Sequence, residues 1–149
     1  MNSTFSLTNH VYCLWSPLNY RDGKWQHLED TISVRRWHTS VTIRDRVLLI
    51  GGEFAKTTEF IPVDGTGASP GPFEVKHLHV KCAIKISDDV VVMTGGAGSP
   101  EVTEYHLADG RETALTPLTQ GRDVHTCAVY QDTDGQQVSA HKICRQYQW

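Results

Sequence analysis

One octapeptide occurs twice in the 149-residue chain, and this repeat constrains the fold more than any other feature of the sequence. Residues 58–65 read Thr-Glu-Phe-Ile-Pro-Val-Asp-Gly and residues 103–110 read Thr-Glu-Tyr-His-Leu-Ala-Asp-Gly, an offset of 103 − 58 = 45. Each copy follows an apolar run that ends in a glycine pair, and the pairs Gly51-Gly52 and Gly95-Gly96 are 95 − 51 = 44 residues apart. A single period of this size is typical of proteins built from repeated supersecondary units.

The pattern within each copy predicts four β-strands. Residues 47–50 and 90–94 are continuous apolar runs, which indicates strands that are buried on both faces. A glycine pair ends each run, because residues without Cβ can take positive φ or pass close to another backbone. The other predicted strands cover residues 37–43, 58–63 and 73–75 in the first copy and residues 82–86, 103–108 and 115–118 in the second.

Partial copies of the pattern precede and follow the two complete ones. Residues 10–15 and 25–28 read as two strands separated by a turn-rich stretch, and residues 125–130 resemble the first strand of a third copy. The pattern breaks after Val138, where no glycine pair follows. The sequence therefore predicts a repeat region over residues 9–138, divided into 9–34, 35–78, 79–121 and 122–138, and a non-repeat tail over 139–149.

A buried strand that ends in Gly-Gly, with an aromatic residue eight or nine positions later, resembles the kelch repeat. The aromatic residues are Phe60 and Tyr105, and a second aromatic residue, Phe73, stands 73 − 60 = 13 positions further on. Kelch repeats form the four-stranded blades of β-propellers, so the resemblance implies an all-β fold, an incomplete kelch-type arc of antiparallel blades. Closed propellers have 4–8 blades, and the sequence holds only two complete copies. The motif residues are Gly51, Gly52, Gly95, Gly96, Phe60, Tyr105, Trp25 and Phe73.

The resemblance implies a non-enzymatic module that binds other proteins, because loops on a rigid scaffold commonly carry binding. Trp37 and Phe54 are either exposed contact residues or fillers between blades. A remnant of a kelch-propeller enzyme of the oxidase or epimerase type, without a complete active site, is the alternative. A third possibility is a fragment of a longer kelch protein. The candidate contact residues in loops are Arg44, Arg46, Glu53, Phe54, Lys56, Gly98 and Glu101.

No catalytic, metal-binding or cofactor-binding set is expected. Three His-x-x-Cys pairs end at Cys13, Cys82 and Cys144, but residues i and i+3 of a strand face opposite sides and cannot chelate one ion. Cys82 and Cys127 are expected to be small buried thiols. His38 and His125 occupy equivalent positions, which predicts a structural role, and Arg35, Arg36 and Arg122 before them are expected to point toward a rim or a neighbouring blade.

The charge pattern excludes two classes of partner. The net charge is −3, and no block of like charge exceeds three residues, which disfavours binding to nucleic acid or to an anionic membrane. Without a signal peptide pattern and with only four cysteines, a reduced cytoplasmic chain is the default expectation. The open strand edges of an incomplete arc predict self-association.

Overall fold

The computed structural model describes residues 12–14, 25–27, 30–64, 66–76, 82–123, 125–128, 130–131 and 137–138. Every regular element in these ranges is a β-strand, so the predicted all-β fold is confirmed. Within the same ranges, no helix is long and apolar enough to cross a membrane. The predicted tail over residues 139–149 lies outside the described residues.

Two pairs of short antiparallel strands lie toward the two ends of the sequence. β1 (Tyr12–Leu14) pairs with β2 (Trp25–His27), and β11 (Tyr130–Gln131) pairs with β12 (Gln137–Val138). The first pair agrees with the predicted strands there. The predicted strand over residues 125–130 is wrong, because residues 126–128 belong to no strand and β11 begins only at Tyr130.

The first four-stranded sheet is an antiparallel meander whose strands follow one another in chain order. Its central strand carries the apolar run, and Leu48 lies opposite Val41 on one side and Phe60 on the other. The fourth strand predicted near residues 73–75 is present, but it begins earlier, at Ser69, so Pro70 and Pro72 are part of it. Proline is tolerated there because an edge strand does not need every N–H for the ladder. The strands are β3 (Thr39–Ile43), β4 (Arg46–Ile50), β5 (Thr57–Pro62) and β6 (Ser69–Glu74).

The second four-stranded sheet has the same topology, so the prediction of four strands per copy is confirmed. The predicted fourth strand at residues 115–118 is wrong, because the strand lies earlier in the chain and ends at Ala114. Leu115 and Leu118 instead pack against a small cluster of buried aliphatic residues that includes Val92. The strands are β7 (Cys82–Ser87), β8 (Val90–Thr94), β9 (Val102–His106) and β10 (Glu112–Ala114).

The two sheets share one hydrophobic core. Phe73 from β6 stacks on Tyr105 from β9 with the ring centroids 4.2 Å apart, and the first strands of the two sheets, β3 and β7, also contact each other. The motif aromatic Phe60 is buried in the same core. Trp25, the remaining motif aromatic, has its side chain outside the described part of the chain. The buried members of the core are Val41, Ile43, Leu48, Ile50, Phe60, Phe73, Val75, Val91, Met93 and Tyr105.

Replacing Leu48 with alanine should lower the free energy of unfolding by about 3 kcal/mol. The Leu48 side chain is 0% exposed, so its removal leaves a cavity that the paired strands on both sides cannot close. Urea unfolding followed by circular dichroism measures the loss. Val47→Ala, which truncates the half-buried neighbour in the same strand, is the matched control, and an equal loss in both variants would contradict this placement of the core.

A disulfide joins Cys82 to Cys127, with the Cα atoms 6.0 Å apart. The expectation that these two residues are small buried thiols is therefore wrong, and so is the expectation that the sulfur atoms are reduced. Cys82 opens β7, whereas Cys127 follows the second sheet along the chain. The bond consequently closes a loop that contains the whole second sheet.

Candidate interaction surface

The four motif glycines all adopt positive φ, as the sequence pattern requires. The φ angles are +57° and +109° for Gly51 and Gly52 and +66° and +93° for Gly95 and Gly96. At Gly52 a Cβ atom would lie 2.7 Å from the carbonyl oxygen of Arg36 and 3.1 Å from the Cβ of His38. The absence of a side chain at Gly52 thus lets the segment that leads into β3 lie directly against the loop that follows β4.

Four residues of these two segments form one exposed group, which we call the Arg36 patch: Arg36, Trp37, Glu53 and Phe54. The Glu53 N–H donates to the Arg36 carbonyl oxygen at 2.7 Å, and the two residues form an isolated antiparallel bridge. The Arg36 guanidinium carbon lies 4.6 Å from the centroid of the Trp37 ring and 5.5 Å from that of Phe54. Trp37 is 57% exposed and Phe54 is 58% exposed, so both rings face solvent while flanking one cation.

Both aromatic residues of the Arg36 patch have left-handed backbone conformations, with φ of +54° at Trp37 and +73° at Phe54. A side chain with a Cβ destabilises this conformation by roughly 1–2 kcal/mol. The second copy of the repeat has Gly98 at the equivalent position, since 98 − 54 = 44, and its φ is +72°. The φ angle at this position is therefore nearly the same in both copies, and glycine suits it better than phenylalanine does.

A buried ion pair lies behind the Arg36 patch. Arg35 is 5% exposed and Glu59 is 1% exposed, and the Arg35 Nη2 group donates to the Glu59 carboxylate. That carboxylate also accepts the backbone N–H groups of Ile32 and Ser33 at 2.8 and 2.9 Å. The prediction that Arg35 points toward a rim or another blade is wrong, because its partners all belong to the same repeat copy.

The other Arg35 contacts fix the same segment to the end of β4. Its Nη1 group donates to the carbonyl oxygens of Gly51 and Thr57, each at 2.9 Å, and Nη2 donates to the Thr57 hydroxyl at 3.1 Å. Glu59 and Arg35 therefore hold residues 32–35 in place, and the residues of the patch follow directly.

His38 and His125, which the repeat treats as equivalent, lie in different surroundings. His38 is exposed, although desolvation by neighbouring atoms and the nearby Arg35 guanidinium lower its pKa, with Glu59 opposing them. His125 is buried, and its Nε2 atom lies 2.8 Å from the Thr94 hydroxyl oxygen. The burial of His125 agrees with a structural role. His38 instead lies next to Gly52, whose neighbours Glu53 and Phe54 belong to the Arg36 patch.

Acidification should destabilise the fold partly through His125. Burial, together with the Arg122 guanidinium, holds the pKa of His125 below its ordinary value of 6.5, with Asp123 opposing. The unfolded chain therefore binds this proton more readily than the folded chain, and stability is lost as the pH falls below about 6.5. Urea titrations at pH 7 and about 5.5 measure the loss, which should be smaller in His125→Gln. An equal loss of stability in both proteins would contradict this role of His125. His38 is present in both proteins, so its contribution cancels in the comparison.

Arg44, a predicted contact residue, pairs with the acidic turn between β7 and β8. The Arg44 Nε group lies 3.2 Å from the Asp88 carboxylate and its Nη2 group lies 3.8 Å from that of Asp89. Arg46 places its guanidinium carbon 4.1 Å from the centroid of the Phe60 ring. The exposed Arg44 pairs join the turns of two sheets and contribute little to stability.

The remaining predicted contact residues do not gather at one place. Lys56 is exposed, and its carbonyl oxygen accepts the Val75 N–H at 2.9 Å. Gly98 and Glu101 are exposed in the loop after the second glycine pair, where the Glu101 carbonyl oxygen accepts the Gly95 N–H at 2.8 Å. Of the predicted loop residues, only Glu53 and Phe54 belong to the Arg36 patch. Trp37, whose ring also flanks Arg36, is considered a contact residue from the sequence, whereas Arg36 is not.

No protein-family model matches the sequence, and a search of characterised proteins also finds no match. Within the described side chains, no three potential metal ligands converge on one point. Cys82, which the sequence predicts not to bind a metal ion, forms the disulfide with Cys127. The functional interpretation therefore depends on the Arg36 patch itself.

Proposed function

We propose that the chain is a non-enzymatic module that binds another protein through the Arg36 patch. The observation that carries the proposal is Phe54, which exposes its ring from a left-handed backbone position where the second copy has Gly98. Phenylalanine at this position disfavours the fold twice, through the backbone conformation and through exposed apolar surface. A contact with a partner is the physical gain that offsets both costs.

The composition of the patch supports the same function. Tryptophan and arginine are the residues most enriched among those that dominate binding energy at protein interfaces, and phenylalanine is also enriched at interfaces. The stacking of Arg36 on two rings limits the rotamers of all three side chains before any partner arrives. Less conformational entropy is then lost on binding.

The kelch-type arc belongs to the same proposal. Two four-stranded meanders with one strand order, whose first strands β3 and β7 contact each other, suit successive blades of a propeller. In that arrangement, the loop after β4 and the segment before β3 lie at one face of the arc. The Arg36 patch would then belong to a face built from loops, where repeat proteins commonly bind partners.

Phe54→Gly tests the function separately from the fold. Because the backbone already has a glycine-like conformation, we expect the free energy of unfolding to change by no more than about 1 kcal/mol. A library of random dodecapeptides displayed on phage is panned against the native chain, and individual clones are measured by interferometry. Selected peptides should bind Phe54→Gly and Trp37→Gly at least tenfold more weakly.

Val63→Ser provides the matched control for that experiment. Val63 is 53% exposed, and its N–H donates to Asp45 at the opposite end of β4 from Phe54. The control should bind the selected peptides as the native chain does. Peptides that bind all four proteins equally would mean that the Arg36 patch is not the contact surface.

A further inference from the structure

The outer edge of the Arg36 guanidinium, formed by Nη1 and Nη2, has no hydrogen-bond acceptor among the described residues, and we call it the open edge. The Nε group of Arg36 donates to the Glu53 carboxylate. The side chain is 41% exposed, and the rings of Trp37 and Phe54 lie against it at 4.6 and 5.5 Å. The hydrogen bond to Glu53, its largest influence, raises the pKa of Arg36, so the group is always charged.

The open edge has the geometry of an anion receptor. The two Nη groups of an arginine form a planar fork that matches the two oxygens of a carboxylate. Glu53 and the two rings restrain the fork before binding, and the rings displace water from its faces. A carboxylate that approached along the open edge would add hydrogen bonds without breaking any that the described residues make with Arg36.

The charges around the fork favour a carboxylate over other ions. Glu53 already neutralises part of the guanidinium charge. The attraction of an anion to this site rises in proportion to its charge, whereas the cost of removing its hydration rises with the square of its charge, so a singly charged carboxylate is favoured over a phosphate dianion. A second cation would be repelled by the Arg36 guanidinium, which already lies against both rings. The monoanion is thus the favoured ligand.

Apolar side chains accompany the fork along the chain. Burial alternates over residues 31–36: Thr31 and Arg35 are buried, whereas Ile32 is 57% exposed and Val34 is 41% exposed. Arg36 continues the outward set at the same two-residue spacing. An extended partner segment has side chains on one face every second residue, about 6.8 Å apart. It could therefore place an acidic residue at Arg36 and an apolar residue beside Val34.

We propose that the partner is an extended protein segment that binds with one aspartate or glutamate on the Arg36 fork and an apolar residue two positions away. This inference rests on the proposed function and specifies the ligand of the same patch. The carboxylate bonds to the Nη groups of Arg36 beside the Trp37 and Phe54 rings, and the apolar residue packs on Val34. The Arg36 patch thus recognises both the negative charge of one side chain and its two-residue spacing from an apolar side chain.

The test compares the peptides selected above with synthetic versions in which only the acidic residue is changed. Aligned sequences should contain an acidic residue with an apolar residue two positions before or after it. By fluorescence anisotropy, the glutamate peptide should bind the native chain at least tenfold more tightly than its glutamine, lysine or phosphoserine versions. In Arg36→Gln, the difference between glutamate and glutamine should fall to less than twofold.

The comparison between peptides within one protein makes the result independent of small changes in folding. Arg36→Lys keeps the charge but not the fork, and should retain only part of the preference. Binding that depends on Phe54 without a preference for glutamate, or with a preference for lysine or phosphoserine, would overturn this inference and leave the proposed function standing. Binding independent of Phe54 and Trp37 would instead overturn the proposed function, and this inference with it.

Discussion

Arg35→Met should lower the free energy of unfolding by about 3–5 kcal/mol, the range observed when one partner of a buried ion pair is removed. The side chains of Arg35 and Glu59 are each 2% exposed, so the substitution leaves a carboxylate buried without its cation. Arg35 also satisfies the carbonyl oxygens of Gly51 and Thr57. Urea unfolding followed by circular dichroism measures the effect.

Two further variants show whether the buried charge is the cause. Arg35→Met combined with Glu59→Gln removes the unpaired charge yet keeps an acceptor for a backbone N–H, and should recover a large part of the loss. Arg111→Met removes an exposed arginine whose Nε group is 3.7 Å from Asp109, and should change stability by less than about 1 kcal/mol. If the Arg35 variant were as stable as the Arg111 variant, the ion pair would not anchor the segment.

The central strands of both sheets could be predicted from the sequence because their signal is strong. Continuous apolar runs ending in glycine pairs lie in β4 and β8, and the octapeptide lies in β5 and β9. The outer strands could not be placed so well. β6 contains Pro70 and Pro72, which normally argue against a strand, and β10 consists of Glu112, Thr113 and Ala114. Their positions follow from hydrogen bonding to the preceding strand rather than from their own composition.

The ion pair behind the Arg36 patch was missed because the repeat hides it. Glu59 and Glu104 are identical in the octapeptide, yet Glu104 is partly exposed and lies 2.9 Å from His106. No arginine stands between residues 76 and 111, so the sequence of the second copy has no arginine at the position that corresponds to Arg35. Because Arg35 and Glu59 are 59 − 35 = 24 residues apart, no local sequence pattern indicates that they pair. Phe54 was recognisable, because a bulky residue replaces a glycine of the other copy.

The disulfide had a signal in the sequence that the cysteine count concealed. Cys82 and Cys127 are separated by 45 residues, the same offset as the two octapeptides. Residues one period apart lie at corresponding places in successive units, and successive units of a repeat protein are neighbours. Four cysteines in a chain of this length argued against a disulfide framework, but a single bond between neighbouring units needs no framework.

Replacing both Cys82 and Cys127 with alanine should lower the free energy of unfolding by about 4 kcal/mol. The bond spans 45 residues, and closing a loop of that length restricts the unfolded chain by about this amount in the chain-entropy description. Dithiothreitol should destabilise the native chain to a similar extent and should leave the double variant unchanged. Urea unfolding with and without the reductant measures all four values.

A peptide map checks the bond itself. After free thiols are blocked, tryptic digestion without reductant should yield residues 82–85 joined to residues 123–142, each of which contains a single cysteine. Recovery of both peptides with blocked thiols would contradict the bond, and a double variant as stable as the native chain would contradict its contribution.

Because the loop contains all of β7–β10, reduction should loosen the second sheet first, while Leu48 and the Arg35–Glu59 pair keep the first sheet and the Arg36 patch folded longer. Peptide binding at the patch should therefore survive reductant concentrations that already expose the amides of β9 to hydrogen exchange.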